Sequence, residues 1–76
     1  MNNPRRKSLN SLYEKLAEIK ELLEEIKEEE EEAFDNIPES LQGTERYEIS
    51  ENAIDNMDSA IYSLEEALDY IEEAAQ

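Results

Sequence analysis

The chain has no cysteine and no histidine. Without cysteine there are neither disulfides nor thiolate metal sites to staple a small fold. Without histidine the commonest general base and the commonest transition-metal ligand are missing. One glycine and two prolines leave most of the length free of residues that interrupt regular structure. Bases are also scarce: 7 Lys and Arg stand against 22 Asp and Glu, a formal charge of −15 on 76 residues. That charge disfavours direct binding to nucleic acid or to an anionic membrane and favours a basic protein surface. No apolar run is long enough to span a bilayer or to form a signal-peptide core, so the expected location is cytoplasmic. With no thiol, no imidazole and no glycine-rich phosphate loop, neither catalysis nor a cofactor is expected.

What is present is periodicity. An apolar fraction of 38% with this net charge is close to the composition of a disordered chain, and only the spacing of the apolar residues argues otherwise. From Leu9 they fall at Leu12, Leu16, Ile19, Leu23, Ile26, Ala33 and Ile37, in alternating steps of three and four, with Glu30 in the one remaining slot. The second half keeps the rhythm through Tyr47, Ser50, Ile54, Met57, Ile61, Leu64, Leu68, Ile71 and Ala75. Such seams belong to helices packed along their length, and strands would alternate instead. Ala53, Ala60, Ala67 and Ala74 form a further row at intervals of seven. Small side chains permit close backbone approach, so this edge of the second helix is expected nearest a neighbouring helix.

Between the seams stands "NIPESLQGTERYE". Pro38 disfavours helical backbone at Ile37. Asn36 with Glu39 suits a cap on a short turn, Gly43 a left-handed end to it, and Thr44 the cap of the next helix. At the other end Asn3-Pro4 reads as a helix start, with Ser11 and Glu14 as a second capping pair. The spacing predicts an all-α fold: helix 1 over about 4–36, a connector at 37–43 and helix 2 over about 44–75, closed as an antiparallel coiled-coil-like hairpin. A two-helix layer hides its apolar surface poorly, and Tyr13, Leu22 and Phe34 lie beside the first seam. A homodimer, two hairpins forming a four-helix bundle, is therefore expected, with Leu16, Leu23, Ile54, Ile61, Leu64 and Leu68 as its self-association residues. The basic Arg5-Arg6-Lys7 end would lie beside Asp69, Glu72 and Glu73, and head-to-tail stacking would bring it near the acidic loop end of the second copy.

The five-glutamate run Glu28–Glu32 is mostly off the seam, and its plainest reading is a solvated helical face with Lys20–Glu24 and Lys27–Glu31 compensation. Glu30, in a seam slot, either reaches water or meets a base, with Arg46 the nearest candidate. A carboxylate-bridged metal bundle would need histidines that are absent. "DNMDSAIYSLEE" from Asp55 lacks the glycine of a calcium loop. Glu28, Glu29, Glu31 and Glu32, with Asp55, Asp58, Glu65, Glu66 and Asp69 and the tyrosines Tyr62 and Tyr70, are the candidate partner-binding residues, either as ordinary surface or as anchors and charges for a basic partner. Crowding so many acids also predicts that stability rises with salt and with modest acidification.

"NPRRKSL", "AFDNIPESLQGTERYE" and "NAIDNMDSAIYSLEEALDYIEEA" resemble a group of short acidic helical proteins of phages and mobile elements of Gram-positive anaerobes. The group has no settled activity, so the resemblance implies a genomic setting and no site residues. Small acidic phage proteins include inhibitors that imitate DNA. The resemblance therefore favours an inhibitor that mimics nucleic acid and occupies a basic groove of a host defence or DNA-binding protein. The alternative is a dimeric structural or assembly module whose binding surface is the seam.

Overall fold

A computed structural model describes residues 1–76 as two helices packed antiparallel in a rod whose Cα atoms extend 60 × 14 × 12 Å. The first helix, α1, spans Asn3–Asp35, and the second, α2, spans Glu45–Ala74. A single 3-10 turn, Glu39–Leu41, stands between them. Every bond of the connection is local. The Asn36 N–H reaches back to the Glu32 carbonyl at 3.2 Å, and Leu41 N–H to Pro38 O at 2.9 Å. Gly43 takes φ +86°, the left-handed conformation that L side chains rarely adopt. Thr44 then caps α2: its Oγ1 accepts the Tyr47 N–H at 3.4 Å and donates to the Leu41 carbonyl at 2.7 Å. Glu45 and Glu48 fill the first turn of α2, where the helix dipole favours negative charge.

Three expected caps differ in detail. Asn2, not Asn3, caps α1, its Oδ1 accepting the Arg5 N–H at 2.9 Å, and this leaves Pro4 inside the first turn where it sacrifices no bond. Ser11 and Glu14 lie in mid-helix, because the earlier cap already starts the helix. The 3-10 turn begins at Pro38 with no side-chain cap, so Asn36 and Glu39 do not form one.

The two ends of the rod are tied differently. At the loop end the rings of Phe34 and Tyr47 lie 4.5 Å apart, centroid to centroid. At the open end Arg6 donates from Nε to the Ala75 carbonyl at 2.9 Å and from Nη2 to the Gln76 carbonyl at 3.3 Å. The basic end therefore meets the C-terminal carbonyls of α2, where a cation complements the helix dipole. It makes no ion pair with Asp69, Glu72 or Glu73. Between these ends the core is thin. Ile61, Leu68, Ala75 and Ser50 are buried, and no large side chain is wholly removed from solvent.

Candidate protein-interaction surfaces

The α2 seam is the expected one: Tyr47, Ile54, Met57, Leu64 and Ile71 are half-buried, with Ser50, Ile61, Leu68 and Ala75 buried beside them. The α1 seam is not. The residues of α1 that α2 covers are Leu9, Tyr13, Leu16, Lys20, Leu23, Lys27, Glu30 and Phe34, all half-buried. Leu12, Ile19 and Ile26, expected inside, are 50%, 53% and 55% exposed, Leu22 beside them is 54% exposed, and Ala33 is exposed too. α1 is thus rotated about its axis by roughly one row from the expected orientation. Leu16, Leu23, Ile54, Ile61, Leu64 and Leu68, expected to join two copies, line the contact between the helices of one chain.

Two ion-paired lysines take the place of the expected aliphatic row. Lys20 Nζ is 3.4 Å from Glu65 and 3.7 Å from Glu24, and Lys27 Nζ is 2.5 Å from Asp58 and 3.1 Å from Glu31. Each lysine lays its aliphatic stem along the seam and carries its ammonium out between one carboxylate of its own helix and one of α2. Desolvation by the seam pulls the Lys20 pKa down, but the Glu65 hydrogen bond and the charges of Glu65 and Glu24 outweigh it and leave the group above its ordinary value. Lys27 is raised as well, chiefly by its hydrogen bond to Asp58 and then by that to Glu31.

Glu30 does not meet Arg46. Its carboxylate accepts a 2.6 Å hydrogen bond from Ser50 Oγ, the buried polar residue directly across the seam. A short hydroxyl on the facing helix satisfies the carboxylate, and Arg46 lines the same groove without pairing with it.

With this rotation the hairpin has two unlike broad sides. One carries the four ion pairs and a shallow depression lined by Lys27, Glu31, Asp35, Glu51, Asp55 and Asp58 around Phe34, Tyr47 and Ile54. The other carries a groove lined by Glu30, Ala33, Ile37, Arg46, Ile49, Ser50 and Ala53. Helical periodicity extends that second side along four rows: Leu12, Ile19, Ile26 and Ala33, then Lys15, Leu22 and Glu29, on α1, and Ala53, Ala60, Ala67 and Ala74, then Ile49, Asn56, Ser63 and Tyr70, on α2. Of the 22 acidic residues only Glu29 falls on these rows. The alanine row is therefore not the edge nearest α1: Ala60 and Ala74 are exposed, Ala53 and Ala67 half-covered.

The candidate partner-binding residues divide between the sides. Asp55, Tyr62 and Asp69 share one row on the acidic flank of α2, with Glu66 next to them, all exposed. Asp58 and Glu65 stand there too but are each engaged by a lysine, with about half of the side chain still open, 57% and 51%. Glu28, Glu31 and Glu32 continue the acidic surface over the side and back of α1, whereas Glu29 faces the apolar side. Tyr70 also parts from the acids, lying in the row of Ile49. No three carboxylates converge in an arrangement that would hold a metal ion, and no helix is long and apolar enough to cross a membrane. Comparison with family models, with curated proteins and with solved structures finds no match.

Proposed function

We propose that the protein is a non-enzymatic acidic interaction module that works as a homodimer and offers its carboxylate side to the basic groove of a nucleic-acid-binding protein. The observation that carries this reading is the division of the surface: of 22 acids only Glu29, on its outer row, and Glu30, in its groove, stand on one broad side, and the other 20 are kept off it. Charge needed only for solubility would be spread over both sides. Density gives a second argument. Fifteen net charges along a 60 Å rod are one per about 4 Å, and two rods side by side reach one per about 2 Å, near the one per ≈ 1.7 Å of duplex DNA. Dimerisation thus brings the linear charge close to that of the ligand it would displace. An inhibitor of a host defence or DNA-binding protein, carried by a phage or mobile element, is the setting that fits.

A second reading, a structural or assembly module, is favoured by the half-exposed Leu12, Ile19, Leu22 and Ile26. One experiment separates the two. Proteins retained from a host lysate by the wild type are challenged with duplex DNA and compared with those retained by an Asp55→Asn, Glu66→Gln, Asp69→Asn variant. Mimicry predicts that DNA elutes the retained protein and that the variant, still helical by circular dichroism, no longer holds it. If DNA elutes nothing and the variant binds as well as the wild type, mimicry is wrong and the assembly reading takes its place.

A further inference from the structure

We infer that two copies join through the outward row of α1 in an antiparallel, two-fold arrangement centred on Leu22. The inference rests on the self-association proposed above and adds to it the face and the register. A two-fold interface must be complementary to itself: if one residue meets another, the second must meet the first in the other copy. The exposed rows of α1 have this property. About Leu22, which would meet its own symmetry mate, Ile19 falls opposite Ile26 of the second copy, Leu12 opposite Ala33, and Lys15 opposite Glu29. All four pairs share one centre, position 22 to within half a residue. Large meets small at the ends, branched meets branched next to the middle, and base meets acid.

Charge selects this orientation over the parallel one. Glu29 is the one acid on the outward rows of this side, since Glu30 is held in the seam by Ser50, and Lys15 is one of its few bases. Laid parallel, α1 on α1, the two copies would set Lys15 beside Lys15 and Glu29 beside Glu29. Laid antiparallel they pair each lysine with a glutamate twice over. The same turn stacks α2 on α2, where the alanine row and Ser63 stand near the middle and the larger Ile49 and Tyr70 lie towards the ends. The second copy is the natural occupant because the chain carries −15 elsewhere. A basic partner finds its complement on the acidic side, whereas this side offers aliphatic surface and a charge pair matched to itself.

The chain has no cysteine, so introduced thiols report cleanly. A disulfide needs Cα atoms within about 7 Å, which in this register is met at the two-fold axis. Three variants are oxidised and compared: L22C, Y62C on the acidic side, and the pair I19C plus I26C mixed as separate chains. L22C should form a linked dimer, Y62C should link at least about tenfold more slowly, and I19C should couple to I26C in preference to itself. Sedimentation equilibrium on K15E, E29K and the double swap completes the test. Each single swap should weaken the dimer by about tenfold and the double swap should restore it. Association of the wild type should strengthen with salt, since screening reduces repulsion between the copies. A dimer in which L22C fails to link, or links no faster than Y62C, overturns this register and leaves self-association standing. A wild type that stays monomeric at all concentrations overturns both.

Discussion

Truncating one inward and one outward aliphatic residue distinguishes the contact within a chain from the contact between chains. Leu68 is the most deeply buried large residue, 6% exposed, whereas Ile19 is 53% exposed. Leu→Ala in a core costs about 2–5 kcal/mol, and the thinness of this core puts Leu68→Ala near 2–3. For 76 residues an unfolding entropy of about 0.16 kcal/mol/K makes each kcal/mol worth about 6 °C, so the expected fall in Tm is roughly 15 °C. Ile19→Ala removes three carbons that are already half in water, about 1 kcal/mol, of which alanine's better helix propensity returns about 0.4. In an isolated hairpin the net is well under 1 kcal/mol. In the proposed dimer the exposed half would be covered in both copies, so the loss would grow as protein concentration moves the population from monomer to dimer. Circular-dichroism melts of both variants over a hundredfold range of concentration provide the assay. The expected pattern is a large deficit for Leu68→Ala throughout and an Ile19→Ala deficit that rises with concentration. An Ile19→Ala deficit that is large and independent of concentration would refute the orientation of α1. A Leu68→Ala deficit below about 1 kcal/mol would refute the seam.

Gly43→Ala meets no neighbouring atom, so its effect comes from backbone strain at φ +86° alone, and chemical denaturation should show a loss of about 1–2 kcal/mol. Ser50→Ala removes the donor to Glu30 and should lower stability by about 1 kcal/mol, while Glu30→Gln, which keeps an acceptor oxygen, should change it by less than half as much. The raised pKa values of Lys20 and Lys27 set an alkaline limit. Their ion pairs contribute fully below the ordinary lysine value of 10.5, and the contribution is lost as pH rises from there through the higher folded values. A denaturation series from pH 8 to pH 11.5 should therefore be flat at first and fall above about 10.5, and the double variant Lys20→Met, Lys27→Met should lack the lysine part of that fall. At neutral pH, added sodium chloride should raise the Tm of the wild type, since screening relieves more repulsion among 22 acids than attraction at four ion pairs.

The rows of α2 were legible because apolarity and burial coincide there. Its seam is apolar, apart from Ser50, and its ten acids lie on rows away from it. The connector was legible for a different reason: Pro38, Gly43 and Thr44 each restrict backbone or bonding in a way that few other residues do. α1 was only half legible. Leu9, Leu16 and Leu23 belong to the seam in either orientation, and the choice falls between the row on one side of them, Leu12, Ile19, Ile26, and the row on the other, Tyr13, Lys20, Lys27, Phe34. Apolarity alone selects the first, yet the structure buries the second. The missing signal was a cross-helix one. Lys20 and Lys27 stand seven apart on α1, and Asp58 and Glu65 stand seven apart on α2, so two helices in antiparallel register can pair both sets at once. Turning the more apolar row inward would carry both lysines away from Asp58 and Glu65 and leave them only their i,i+4 partners Glu24 and Glu31. Partly covered pairs of this kind contribute only about 0–1 kcal/mol each, so the four together are at most comparable with the aliphatic burial that this orientation gives up. The consequence reaches beyond the monomer. By placing lysine stems inside, the hairpin leaves its better aliphatic row outside, and that row is the surface through which the proposed dimer would form.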